Sequence, residues 1–154
     1  MREQEEGFTL VETLITLLIS SFLIFLPTLS MSEMTRSIET DLFFRELSSQ
    51  ITMMQNHAIL MNETTRVEFS PRQNVIRFKI NNGFGEAHPL NREISLEDYT
   101  CEFLSSNLQV IEFKRKSGNI AVLAGNWRIK FTTDIGTYEL VFKLGSGRFD
   151  IRKI

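Results

Sequence analysis

Hydrophobic residues change their spacing three times along this chain. From Phe8 to Leu29 they run almost unbroken, FTLVETLITLLISSFLIFLPTL, 22 residues whose only formal charge is Glu12. At about 1.5 Å per residue a helix of that length reaches roughly 33 Å, enough for a bilayer core of about 30 Å. The pattern predicts a transmembrane helix over 8–29, kinked near Pro27, where proline removes one backbone hydrogen bond. Beyond it Met34, Ile38, Leu42, Leu47, Ile51, Met54, Ala58 and Met61 recur every three to five residues, with no strong breaker before Asn62. That spacing predicts a helical stalk over 30–62 with one apolar face. The Met-rich stripe is expected to pack on a following sheet, the alternative being a partner-binding surface.

From Thr65 the period falls to two. Residues 66–70 and 74–80 alternate around PRQN and predict a β-hairpin. NNGFGEAHP reads as a loop. Alternating segments at 100–104, 108–114, 120–123, 127–132, 137–144 and 149–154 follow, separated by Gly or Asn turns. The expectation is an α+β fold: a long N-terminal helix, its first half in the membrane, packed on an antiparallel sheet formed by a β-rich ectodomain over 63–154.

Composition narrows the chemistry. Of 154 residues, only two are histidine (His57, His88) and one is cysteine (Cys101), too few to suggest a structural metal site. No nucleophile–base signature is present, so no catalytic residue, metal or cofactor is expected and the chain reads as a non-enzyme. Cys101, without a second cysteine, is expected either to be buried as a small hydrophobe or to bridge two chains. Charge is uneven: residues 30–102 carry seven Lys/Arg and eleven Asp/Glu, residues 103–154 nine and four. Lys114, Arg115, Lys116, Arg148, Arg152 and Lys153 are the candidate contacts for DNA or a protein partner. The plainer reading, favoured over DNA contact, is a solvated sheet face, or contact with an acidic wall polymer or a neighbouring subunit.

Glu12 is the costly residue. A carboxylate in hydrocarbon is unfavourable by about 2.5–3.5 kcal/mol on insertion scales. Either it snorkels to the interface, or it awaits a cation from another chain. A secretory signal peptide fits poorly, because the leader MREQEE has one Arg against three Glu and the apolar run is too long. The one glycine of the region, Gly7, lies before the run; cleavage there would leave the apolar helix on the mature protein.

GFTLVETLITLL resembles the class III signal of type IV pilins and pseudopilins. The resemblance implies removal of the leader, residues 1–7, by a prepilin peptidase cutting between Gly7 and Phe8, with N-methylation of the new Phe8 amine. It implies that Glu12 pairs with the N-terminal ammonium of a neighbouring subunit during filament assembly, which would make two costly charges tolerable together. Leaders of this family are usually basic and MREQEE is not, so an N-in orientation rests on the resemblance and not on the charge rule.

The C-terminal half, with its basic KRKSG turn and its LGSGR turn at Leu144–Arg148, is similar to the minor competence pseudopilins of Gram-positive bacteria. That similarity implies a ComG-type pseudopilus serving uptake of exogenous DNA in transformation. The partners would be a prepilin peptidase, other major and minor pseudopilins, an assembly ATPase with its membrane platform protein, and the membrane itself. The subunit would sit in the cytoplasmic membrane with its ectodomain outside, then at the cell surface. A secretion or adhesion filament, or a DNA-binding pilus subunit, is the alternative.

Overall fold

The computed structural model describes residues 9–81, 88–125, 127–143 and 145–154, and of residues 26–33, 81, 122 and 123 the backbone alone. Helix α1 spans Leu10–Leu60. Thr9 opens it: the Glu12 amide donates to Thr9 Oγ1 at 3.3 Å, satisfying one of the donors a helix leaves free at its start. Pro27, where a kink is expected, lies among the residues described by backbone alone, and the helix is assigned without a break across it. The chain leaves the helix through Asn62, in the left-handed region at φ 58°, a conformation asparagine tolerates better than most residues.

The chain divides into two compact units, Met1–Ser37 and Ile38–Ile154. The first contains the start of α1. Among the described residues no helix is long and apolar enough to cross a membrane. The expected span extends past them, since Phe8 and the side chains of residues 26–29 are not described.

Among the described residues the second unit holds the rest of α1 and nine strands: β1 (Thr64–Ser70), β2 (Val75–Asn81), β3 (Arg92–Ser95), β4 (Cys101–Phe103), β5 (Gln109–Phe113), β6 (Ile120–Ala124), β7 (Arg128–Thr133), β8 (Gly136–Lys143) and β9 (Arg148–Lys153). They form two antiparallel sheets, ordered β3-β2-β1-β5-β6 and β4-β7-β8-β9. The fold is therefore α+β, with a helix packed on antiparallel sheets. A single sheet was expected; strand alternation shows where strands lie but not which edge each one joins. β4 leaves the first sheet to pair with β7, Phe103 opposite Phe131. The first hairpin sits where the alternation places it, β1 and β2 meeting at Ser70 opposite Val75. β3 was not expected; it is four residues long with one buried side chain, Ile94, too short to show a period.

Phe43, Leu47, Ile51, Met54 and Ala58 present the buried stripe of α1, each with no exposed surface. They meet Val67 and Phe69 of β1, Ile76 and Phe78 of β2, Ile111 and Phe113 of β5, Phe131 of β7 and Phe142 of β8 in one cluster. Rings join the layers: Phe43 lies 5.7 Å from Phe131, Phe44 lies 4.5 Å from Tyr138, and Phe69 lies 6.2 Å from Phe142. Such pairs contribute about 0.5–1.5 kcal/mol each beyond the area they bury. The expected stripe is corrected at both ends. Met34, Ile38, Leu42 and Met61 are exposed, while Phe43 and Phe44 are buried. A 3.6-residue period started at Met34 drifts off the true face, and the adjacent phenylalanines take the place assigned to Leu42.

Polar links fix the helix to the sheets. The buried Thr65 hydroxyl donates to the Met54 carbonyl at 3.0 Å. Glu46 accepts from both the Tyr99 hydroxyl and the Arg92 guanidinium, and the bond to Glu46 raises the Tyr99 pKa. At the helix end the Lys116 amide donates to the Ala58 carbonyl at 3.0 Å, filling an acceptor that the last turn leaves open.

Candidate functional site

The first unit presents apolar side chains round most of its helix. Leu10, Leu14, Leu17, Leu18, Phe22, Leu23 and Ile24 are all more than half exposed. Successive residues step by 100°, so this set, with Val11, Ile15 and Ile19, runs round most of the circumference instead of one stripe, with Thr13, Thr16 and Ser20 in the remaining sector. Three of its hydroxyls are satisfied within the helix. Thr13 donates to the Leu10 carbonyl at 2.8 Å, Thr16 to the Glu12 carbonyl at 2.7 Å, and Ser20 to the Thr16 carbonyl at 2.7 Å. These back-bonds make the hydroxyls compatible with an apolar surrounding.

Glu12 is the exception. It enters those bonds only through its backbone, and among the described residues none reaches its exposed carboxylate. The carboxylate lies in the first turn, where the helix dipole favours negative charge. Thr9-x-x-Glu12 has capping-box spacing, but only half of the box is made, the Thr9 hydroxyl accepting from the Glu12 amide; the hydrophobic pattern hid this role of Thr9, and the T-x-x-E signal could have revealed it. Gly7 and Phe8, the expected cleavage and methylation positions, lie outside the described residues, as does the rest of the leader.

The structure divides the six candidate basic residues. Lys114, Arg115 and Lys116 are exposed in the turn between β5 and β6. The turn carrying Arg148 lies beside it: a Cβ on Gly147 would come within 2.6 Å of the Gly118 carbonyl oxygen. Arg152 and Lys153 stand at the far end of β9, about 13 Å or more along the strand from Arg148. There Arg152 donates through Nε and a terminal nitrogen to Glu139 Oε2 at 3.0 and 2.6 Å, and the Lys153 ammonium lies 5.8 Å from the centre of the Tyr138 ring. The Lys114–Lys116 turn also has a plain structural task, since its backbone caps α1.

Register reveals cations the sequence reading passed over. Tyr138, Leu140 and Phe142 of β8 point toward the core, so Glu139, Val141 and Lys143 occupy the opposite face. Pairing places Lys130, Glu139 and Arg152 in one cross-strand row, Arg128, Val141 and Asp150 in the next, and Lys143 opposite Arg148. Five cations and two carboxylates share that face. Arg128 also covers the Trp127 ring at 4.2 Å, a cation–π contact. The alternation R-x-K at 128–130 and R-x-D-x-R at 148–152 carried this signal. Glu139 is covered by these charged neighbours more than by the apolar core. The Arg152 hydrogen bond holds its carboxyl below the usual carboxylate range, against the opposing effect of burial.

Compared with family models, curated proteins and solved structures, the chain has no match. Function therefore has to be argued from its own residues.

Cys101 is buried in β4, 1% exposed. Loss of solvation pushes its thiol up to about 12, so it is protonated and unreactive at neutral pH. Of the two expectations for this residue, burial is the one observed. His57 and His88, set aside as metal ligands on count alone, meet each other: their rings stand edge to face with centres 5.3 Å apart. Glu63 joins them, its Oε2 lying 2.8 Å from His57 Nε2.

Proposed function

We propose that the chain is a minor pseudopilin: processed between Gly7 and Phe8, held in the cytoplasmic membrane by its N-terminal helix, and incorporated into a short competence pseudopilus that brings exogenous DNA to the cell. The observation that carries this reading is Glu12. It is the one formal charge between Phe8 and Leu29, the described hydroxyls around it are bonded to their own helix, and no described residue reaches its carboxylate. In an apolar bundle a lone carboxylate is costly and a close ion pair is tolerable. The ammonium of a neighbour's Phe8, freed by cleavage, supplies the missing cation and sets the axial register of one subunit on the next. An apolar N-terminal helical unit and a separate α+β unit suit a subunit with a filament-forming helix and an ectodomain.

The test combines deletion and substitution in the chain's own host. In-frame deletion abolishes transformation and a wild-type copy restores it. Glu12→Ala is still cleaved at Gly7 and still enters the membrane, but does not enter filaments and does not restore transformation. Unchanged transformation in a competent deletion strain would move the chain to a secretion or adhesion filament. Filament entry by Glu12→Ala at the wild-type level would end the pairing role.

A further inference from the structure

We propose that His57, Glu63 and His88 bind a divalent transition-metal ion, with Zn²⁺ the best chemical match. Three separate segments bring them together. His57 lies in the last turn of α1. The left-handed turn at Asn62 reverses the chain so that Glu63 returns alongside it. His88 comes from the connection between β2 and β3. The chain has only two histidines, 31 positions apart in sequence, and both stand in this one cluster. One donor atom from each of the three residues lies within 4.8 Å of the others, and all three residues are partly buried.

The donor set selects the ion. Two imidazoles and one carboxylate suit Zn²⁺ and its first-row neighbours, whereas Ca²⁺ and Mg²⁺ require oxygen ligands. Bonds of about 2.0–2.2 Å in a tetrahedral arrangement hold ligand atoms roughly 3.3–3.5 Å apart. His57 Nε2 and Glu63 Oε2, now 2.8 Å apart, need to separate by a few tenths of an ångström, and His88 needs to move inward. The Leu90 amide donates to His88 Nδ1 at 3.1 Å on the surface. That bond is given up on loading, because a neutral imidazole bound through one nitrogen carries its proton on the other or presents that same nitrogen to the metal. Water takes the fourth position in the isolated chain. The ion would tie the β2–β3 connection to the end of α1 and stabilise the folded unit, since the unfolded chain holds no preformed site.

The full-length chain, purified in detergent and stripped with chelator, is titrated with Zn²⁺ by calorimetry, with metal content and melting temperature measured alongside. One Zn²⁺ per chain is expected, with a rise in melting temperature, and Co²⁺ in its place shows tetrahedral ligand-field bands. His88→Ala lowers Zn²⁺ affinity at least about tenfold, the loss seen when even outer partners of metal sites are removed. It also abolishes the bands and leaves the metal-free melt unchanged. His57→Gln behaves likewise; if it melts without cooperativity, His88→Ala decides. Absence of stoichiometric binding by folded wild type would overturn the site, and so would equal affinity in wild type and His88→Ala.

Discussion

One helix serves two environments. Between Phe43 and Ala58 its apolar residues gather on one stripe and are buried, with Met53 half-buried at its edge, while Asp41 and Arg45 face solvent. Between Leu10 and Phe25 apolar residues run round most of the axis, and none of the described ones is buried. The two stretches differ in content, with ten Leu, Ile and Phe in residues 10–25 against four in residues 43–58. The distribution around the axis separates them. A stripe identifies its partner within the same chain, whereas a helix apolar round most of its circumference requires lipid or other helices. The stripe over 43–58 is thus explained within the fold, whereas the described apolar residues over 10–24 stay exposed, as the proposed filament helix requires.

The largest expected effect breaks that comparison if it is wrong. Phe43→Ala empties a space between α1 and Phe131 and should destabilise the second unit by about 3–5 kcal/mol. Leu18→Ala, equally hydrophobic in what it removes, should leave chemical denaturation of the same chain unchanged, because Leu18 is 59% exposed. Denaturation followed by Trp127 fluorescence measures both. Equal losses would mean that the N-terminal stretch has a partner within the chain.

Next in size is a turn. Gly147 has φ 69°, and a Cβ there would meet the Gln55 side chain and the Gly118 carbonyl. Gly147→Ala adds left-handed strain to a steric conflict with the helix end, and should cost about 1–3 kcal/mol. Gly145 has a similar φ of 76° but nothing within 4 Å, so Gly145→Ala should cost less, about 1 kcal/mol. The pair sharpens the comparison by separating turn geometry from packing against α1.

Much of this architecture could be read from the sequence, for identifiable reasons. The change of period at Thr65 marks the passage from helix to sheet because side chains repeat every 3.6 residues in one and every two in the other. PRQN placed the first hairpin because proline and asparagine fit its turn. The partition into two sheets could not be read, since Phe103 meets Phe131 across a sequence gap that alternation does not encode. The outward row Lys130–Glu139–Arg152 stayed hidden for the same reason: it exists only once register is known. The His57–Glu63–His88 cluster was lost to counting, which weighs how many ligands exist and not where a left-handed residue returns the chain. Glu12 was legible because it violates its surroundings, but the capping role of Thr9 was masked by the apolar run around it.

The smallest effect concerns two carboxylates, one in each region. Glu139 has its counter-charge in the same chain, so its contribution should appear in the stability of the isolated protein. Its carboxyl is held below the ordinary value of 4.5, so on acidification the unfolded chain takes up that proton first. The stabilisation is complete above about pH 4.5 and is lost as pH falls through the lowered folded value. Melting temperatures of wild type and Glu139→Gln should therefore differ at neutral pH and converge in acid. Parallel curves would remove the Arg152 pairing as the cause. Glu12 should behave differently: among the described residues no cation reaches its carboxylate, so Glu12→Gln should leave the melt of the isolated protein at neutral pH unchanged. On the proposed pairing its effect should appear only in filament assembly, so each unit has one carboxylate that tests where its counter-charge comes from, Glu12 in the first and Glu139 in the second.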